Sequence, residues 1–84
     1  MIYLIELLPK AVKDLTKLPK AEAVSIVEQI RSLENGLVGD VKKLTNFTPE
    51  YRLRVGKYRV LFEIDGQQII VYRIAHRKEA YTKR

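Results

Sequence analysis

No cysteine occurs in the 84 residues, and there is a single histidine. The first absence removes disulfides and thiolate metal sites, and it fits an unstapled domain in the reducing cytoplasm. The second leaves a histidine-based metal centre without ligands, so neither metal nor cofactor is expected. Glycine is scarce at four residues, and none builds the glycine-rich loop that cradles nucleotide phosphates. Long apolar runs are absent as well. The stretch MIYLIELLP at the start is too short for a membrane span and carries Glu6, so it reads as a strand, and no membrane partner is expected. Ser25 falls inside a helical pattern with no histidine in sequence reach, which leaves a serine nucleophile unsupported. No repeat, low-complexity tract or linker interrupts the chain.

What is present is a balanced first half and a basic second half. The chain is 46% hydrophobic and 31% charged, the composition of a folded protein, and its length allows one core, a single domain over 1–84. Residues 1–41 carry five Lys/Arg against six Asp/Glu, whereas residues 42–84 carry eleven against four. An excess of that size points to an anionic partner, nucleic acid or an acidic protein. A solvated basic surface is the plainer account, and charge alone does not separate the two.

Residues 2–8 form the first strand candidate. Pro9 suits the first turn of a helix, where Ala11, Leu15 and Leu18 make an apolar stripe, and Pro19 ends it. A second helix is expected from Ala21 to Glu34, with Ala23, Ile26, Val27, Ile30 and Leu33 on its apolar face and Asn35-Gly36 closing it. Residues 37–50 show no sustained period and read as loop. Strands follow at 51–55, 58–64 and 68–75, joined by two-residue turns at Gly56-Lys57 and Asp65-Gly66. The expected fold is α+β, in the order β-α-α-β-β-β, with two N-terminal helices packed on one face of a four-stranded, mainly antiparallel sheet.

The strand YRLRV alternates cleanly, which sends Tyr51, Leu53 and Val55 to one face and Arg52 and Arg54 to the other. Through Gly56-Lys57, Arg54 faces Arg59 and Arg52 faces Leu61. Through Asp65-Gly66, Phe62 is expected to face Ile69, Val60 to face Val71, and Arg59 to face Tyr72. The helix side then holds Leu53, Val55, Val60, Phe62, Ile69 and Val71. The outer side holds Arg52, Arg54, Arg59, Leu61, Ile70, Tyr72, Ile74 and His76. Opposed arginines repel by a few tenths to about 1 kcal/mol unless an anion lies between them, and local carboxylates are lacking, since Glu63 shares this face but lies toward the far turn. Three guanidiniums beside an aromatic ring suit phosphate forks and base stacking. The alternative, that the stems cover Leu61 and Ile70 while the heads stay in water, is weakened by the basic tail HRKEAYTKR. That tail adds His76, Arg77, Lys78 and Tyr81, and imidazole is the side chain that exchanges protons near neutrality.

The run YRLRVGKYRVLFEI, the following IIVYRI and the ending HRKEAY, with KKL before the sheet, resemble the RelE/ParE superfamily of bacterial and archaeal toxins over nearly the whole chain. The resemblance, closest to the RelE-like branch, implies the toxin of a type II toxin–antitoxin system, bound by a cognate antitoxin in a hetero-oligomer. It implies a cytoplasmic, metal-independent endoribonuclease that cuts mRNA in the ribosomal A site and inhibits translation. Arg59 matches the family's phosphate-contacting arginine, Arg77 its tail arginine and Tyr81 its tail tyrosine, and His76 stands near a histidine used in other ribosome-dependent branches. Arg52 and Arg54 stand where RelE proteins carry lysines, so a lysine acid–base role does not carry over. On this reading Arg54, Arg59, His76, Arg77 and Tyr81 are catalytic. Arg52, Lys57, Tyr72 and Lys78 bind RNA phosphates and bases. Two other readings keep the scaffold, a ParE-like poison of DNA gyrase and a degenerate member that only binds antitoxin or nucleic acid.

Overall fold

The computed structural model describes residues 2–80. The chain runs β1 (Leu4–Leu7), α1 (Pro9–Thr16), α2 (Lys20–Ser32), a 3-10 turn (Leu33–Asn35), β2 (Asp40–Lys43), β3 (Tyr51–Val55), β4 (Tyr58–Asp65) and β5 (Gln68–His76). No helix among these is long and apolar enough to cross a membrane. Pro9 occupies the first turn of α1, where its missing N–H leaves nothing unsatisfied, and Pro19 stands at the N-cap of α2. Gly36 ends the helical segment with a φ of 133°, a conformation that side chains disfavour. The freed carbonyl of Glu34 accepts the N–H groups of Ile2 and Tyr3, at 2.7 and 3.1 Å, so the 3-10 turn after α2 anchors the entry to β1.

The sheet has five strands, in the order β1-β5-β4-β3-β2, and it is mixed because β1 runs parallel to β5. The strand missing from the sequence reading is β2, which lies in the segment expected to be loop. It is four residues long, too short to show a period, with Val41 packed against the core and Asp40 and Lys42 outward. Both helices cover one face. Ala11, Ile26, Ile30 and Leu33 pack there on Leu53, Val60, Phe62, Ile69, Val71 and Ile74, each at most 3% exposed, and a large apolar side chain buried this way contributes about 1.5–3 kcal/mol.

The β3–β4 hairpin has the expected register, with Val55 opposite Tyr58 across Gly56-Lys57 and Gly56 at a φ of 57°. The β4–β5 hairpin departs from it twice. Its turn residues are Gly66-Gln67 rather than Asp65-Gly66, because Gly66, at a φ of 62°, takes the first central position. Asp65 therefore faces Gln68, and Phe62 faces Val71. Further along, Leu61 pairs with Arg73, which leaves Tyr72 unpaired as a β-bulge. One extra residue reverses the facing of everything after it. Ile74, expected outside, lies in the core opposite Val60, and His76 faces Tyr58 on the helix side. The residue opposite Arg59 is Ala75, not Tyr72.

A carboxylate secures the bulge. Strand β1 stops at Leu7, and α1 runs beside the remainder of β5. Asp14 Oδ2 accepts the Nε–H of Arg73 at 2.8 Å and the main-chain N–H of Ile74 at 2.9 Å, while Oδ1 accepts Arg73 Nη2 at 3.1 Å. An open edge donor, left unpaired where β1 ends, is thereby satisfied.

Candidate nucleic-acid interface

Two rows of residues cross the uncovered face. One runs Asp40, Arg54, Arg59, Ala75 over β2, β3, β4 and β5; the next runs Lys42, Arg52, Leu61. The segment after β2 returns over this face, tied by the N–H of Leu44 to the carbonyl of Glu50 at 2.6 Å. Lys42, Leu44, Thr45, Phe47, Arg52, Arg54 and Arg59 thus line an open groove of about 370 Å³. Four cations meet there, and Arg54 stands directly opposite Arg59 as the alternation predicts.

The guanidiniums are held differently. Arg52 Nη1 donates to the main-chain carbonyl of Asp40 at 2.7 Å and to its Oδ1 at 3.0 Å, and the side chain is only 14% exposed. Arg54 Nε lies 3.5 Å from Asp40 Oδ2 and is 57% exposed. Arg59 Nη1 donates to the carbonyls of Gly56 and Tyr58, at 3.2 and 3.1 Å, which aims it without neutralising it. The expectation that no carboxylate stands beside the arginines is therefore corrected: Asp40, carried on the strand that the sequence pattern did not show, contacts two of them. The Arg52 hydrogen bond, with the charges of Arg52, Arg54 and Arg59, holds the Asp40 carboxyl below its ordinary range, against a smaller effect of burial.

A sequence profile of the ParE toxins of type II toxin–antitoxin systems (parDE) matches residues 5–81, nearly the whole chain. The chain belongs to the RelE/ParE toxin superfamily. Within it the curated sequence relatives carry RelE names. Toxin RelE3 of Methanocaldococcus jannaschii is 37% identical over 83% of this chain and 85% of its own. The toxin in the crystal structure of the RelB-RelE antitoxin-toxin complex from Methanococcus jannaschii superposes with a TM-score of 0.75 at 34% identity, over 89% of this chain and 93% of that one. The archaeal RelE-RelB complex from Pyrococcus horikoshii OT3 gives 0.79 at 31% identity, over 95% and 100%. The protein is a RelE-family toxin of a type II toxin–antitoxin system.

This toxin brings together only part of the residue set that its sequence suggests. Arg52, Arg54 and Arg59 share the groove, and Lys57 lies at the turn beside Arg59, its carbonyl accepting the N–H of Arg77 at 2.7 Å. Tyr72 lines a separate hollow with Leu8, Pro9, Lys10, Thr48, Pro49 and Arg73. His76 is on the far side of the sheet, in a hollow with Asp14, Lys17, Leu18 and Tyr58. Its ring meets Tyr58 edge-on at 5.7 Å, and its Nδ1 accepts the N–H of Lys78 at 3.2 Å. Tyr58 in turn donates to Glu22, which pushes its phenol pKa up. Lys78 and Arg77 sit in the exposed turn after β5, and Tyr81 lies outside the described residues. Leu61, expected as exposed surface beside the arginines, is fully buried. The residues missed by sequence are Asp40, Lys42 and Phe47. The alternation of Asp40, Val41 and Lys42 is the signal that could have found the first two, once the strand was allowed to be four residues long.

Proposed function

We propose that this toxin is a ribosome-dependent endoribonuclease of the cytoplasm, cutting mRNA in the A site without a metal ion and inhibiting translation. The observation that carries the reading is the groove itself, which Lys42, Arg52, Arg54 and Arg59 line together and in which Arg54 faces Arg59. A like-charge pair held open in this way is relieved when an anion enters, and the fork of a guanidinium fits a phosphodiester. The RelE names of the relatives support the activity, and the antitoxin-toxin complexes among the structural neighbours support a cognate antitoxin as partner.

In the proposed reaction the mRNA 2′-oxygen attacks the adjacent phosphorus in line as its proton leaves. The P–O5′ bond breaks, giving a 2′,3′-cyclic phosphate and, with a proton delivered to the leaving oxygen, a 5′-hydroxyl. Arg54 and Arg59 stabilise charge on the non-bridging oxygens, the electrostatic contribution that preorganised donors make best. Arg52, pinned by Asp40, positions the backbone, with Lys57 and Lys78 as further phosphate contacts. Arg77, whose N–H bonds the Lys57 carbonyl in the turn before Arg59, assists the leaving oxygen. With His76 turned to the helix side, Tyr81 is the proton acceptor that this reading favours.

One observation favours a second reading, in which the scaffold poisons DNA gyrase: the matching profile is that of ParE toxins, and the histidine stands away from the arginines. The test is 5′-end mapping of a defined mRNA in a purified translation system, with wild type and Arg59→Ala. Cuts at the A-site codon that need ribosomes and vanish with Arg59→Ala are expected. Intact mRNA together with trapped gyrase–DNA cleavage complexes would instead establish the second reading, and inertness in both assays a binding-only member.

A further inference from the structure

Asp40 is an odd occupant for a phosphate cradle. It stands directly opposite Arg54, in line with Arg59, and sets a negative charge against one of the guanidiniums that line the groove. Its two oxygens are engaged unequally. Oδ1 bonds Arg52 at 3.0 Å, whereas Oδ2 stays 3.5 Å from Arg54 Nε, and the carboxylate side chain is half exposed on an edge strand. Arg52 also bonds the main-chain carbonyl of Asp40 at 2.7 Å, so its position survives a change of the side chain.

We propose that Asp40 is a specificity-determining residue of the groove: its carboxylate occupies Arg54 in place of phosphate until a nucleic-acid strand displaces it. The inference rests on the reading that the groove receives RNA. A lone phosphate that enters displaces about as much negative charge as it brings and gains little. A strand that displaces the carboxylate from Arg54 also sets neighbouring phosphates on Arg59 and Lys42, and it gains from each. The carboxylate thereby filters single anions from polyanions. The displacement is easy because the loose contact is the one given up, while the Arg52 bond remains. The Arg52 hydrogen bond holds the carboxyl below its ordinary range, which favours the charged form that competes for Arg54. A purely structural Asp40 would help to pin Arg52 and nothing more, and its loss would leave RNA binding unchanged or weaken it.

The test compares wild type with Asp40→Asn and Asp40→Thr, the latter keeping a strand-forming side chain in case the amide disturbs folding. The probes are a short 2′-O-methyl single-stranded RNA, which cannot be cleaved, and inorganic phosphate followed by the side-chain Nε–H shifts of Arg54 and Arg59. Both variants should bind the RNA about three- to ten-fold tighter at low salt, as expected for removing one like charge next to the ligand in a high-dielectric groove. The log affinity should fall with log salt about 0.7 more steeply, for one more cation released to the strand, and inorganic phosphate should newly shift Arg54. Unchanged, weaker or undetectable RNA binding by the variants would overturn the proposal. The cleavage assay is read separately. Tighter binding with no ribosome-dependent cutting by any form would sink the nuclease reading and leave the filter standing. Wild-type cutting with no tightening would do the reverse.

Discussion

Two aspartates in this toxin each hold arginines, and they do different work. Asp14 is 13% exposed and receives three hydrogen bonds, two from the fork of Arg73 and one from the N–H of Ile74. Burial is the strongest single influence on its carboxyl and opposes its charge, but the bonds from Arg73 and Ile74, with the charges of Arg73 and Lys17, outweigh it and hold the carboxyl below its ordinary range. Asp40 is half exposed, sits on an edge strand and divides its oxygens between two guanidiniums at 3.0 and 3.5 Å. The same pair of residue types is a staple where the carboxylate is largely buried and an adjustable charge where it is not, because exposed pairs gain little from Coulomb attraction and pay side-chain entropy. The staple holds the bulge that turns β5 over; the adjustable charge sits beside the groove, against two of the arginines that line it.

The sharpest way to break this division is to remove cations from the groove. Arg59→Ala or Arg54→Ala should lower ribosome-dependent cleavage by about 10²–10³-fold, the size seen when one preorganised transition-state donor is lost, while the exposed Arg54 leaves thermal unfolding nearly unchanged. Loss of folding with Arg54→Ala would mean that the groove is structural. Next in size is the staple. Asp14→Ala should cost about 1.5–3 kcal/mol in urea unfolding, through lost charge-assisted bonds and an orphaned Ile74 donor, with the denaturant slope unchanged. Asp40→Asn should leave the midpoint almost where it was, and equal losses from the two would erase the contrast. A pH series sharpens it further. Because the folded pKa of Asp14 is depressed, its stabilisation is fully present above the unfolded value of about 3.9 and is lost as pH falls through the lower folded value. Asp14→Asn should therefore flatten the acid limb of stability below about pH 4, and an unaltered limb would remove Asp14 as its cause.

How far the sequence could be read depended on where local rules sufficed. The helix boundaries followed from Pro9, Pro19 and Gly36, and the α+β class from two apolar stripes followed by alternating strands. The pairing of Arg52 with Leu61 and of Arg54 with Arg59 followed from a glycine in the first place of a two-residue turn, which leaves little choice of register. Strand β2 was not legible, because four residues along an edge owe their state to pairing with β3 rather than to their own pattern. Nor was the bulge at Tyr72. Nothing in IIVYRIAH marks an extra residue, since the bulge is held from outside the strand by Asp14, about sixty positions away. That single tertiary contact is why Ile74 and His76 depart from the facing that the strand pattern predicts and why Tyr72 is left unpaired, whereas Arg52, Arg54 and Arg59 lie on strands it does not touch.

The smallest effect follows from the same bulge. A proton acceptor in general acid–base catalysis contributes about 10²–10⁴-fold, so a His76 that served the arginine groove would be indispensable. The residue that β5 presents opposite Arg59 is instead Ala75, and His76 is engaged on the other side by the edge of Tyr58 and the N–H of Lys78. His76→Ala should then lose the ring contact, about 0.5–1.5 kcal/mol of stability, and the exposed bond from the N–H of Lys78, and leave A-site cleavage within a few-fold of wild type, whereas Tyr81→Phe should lower it far more. Cleavage by the three proteins, compared at a temperature where all are folded, decides the matter. A hundred-fold loss with His76→Ala would mean that β5 straightens at Tyr72 on the ribosome, returning the imidazole to the arginine face. The Asp14 staple would then be a catch that the substrate releases, and Asp14→Ala would be expected to raise activity rather than only to lower stability.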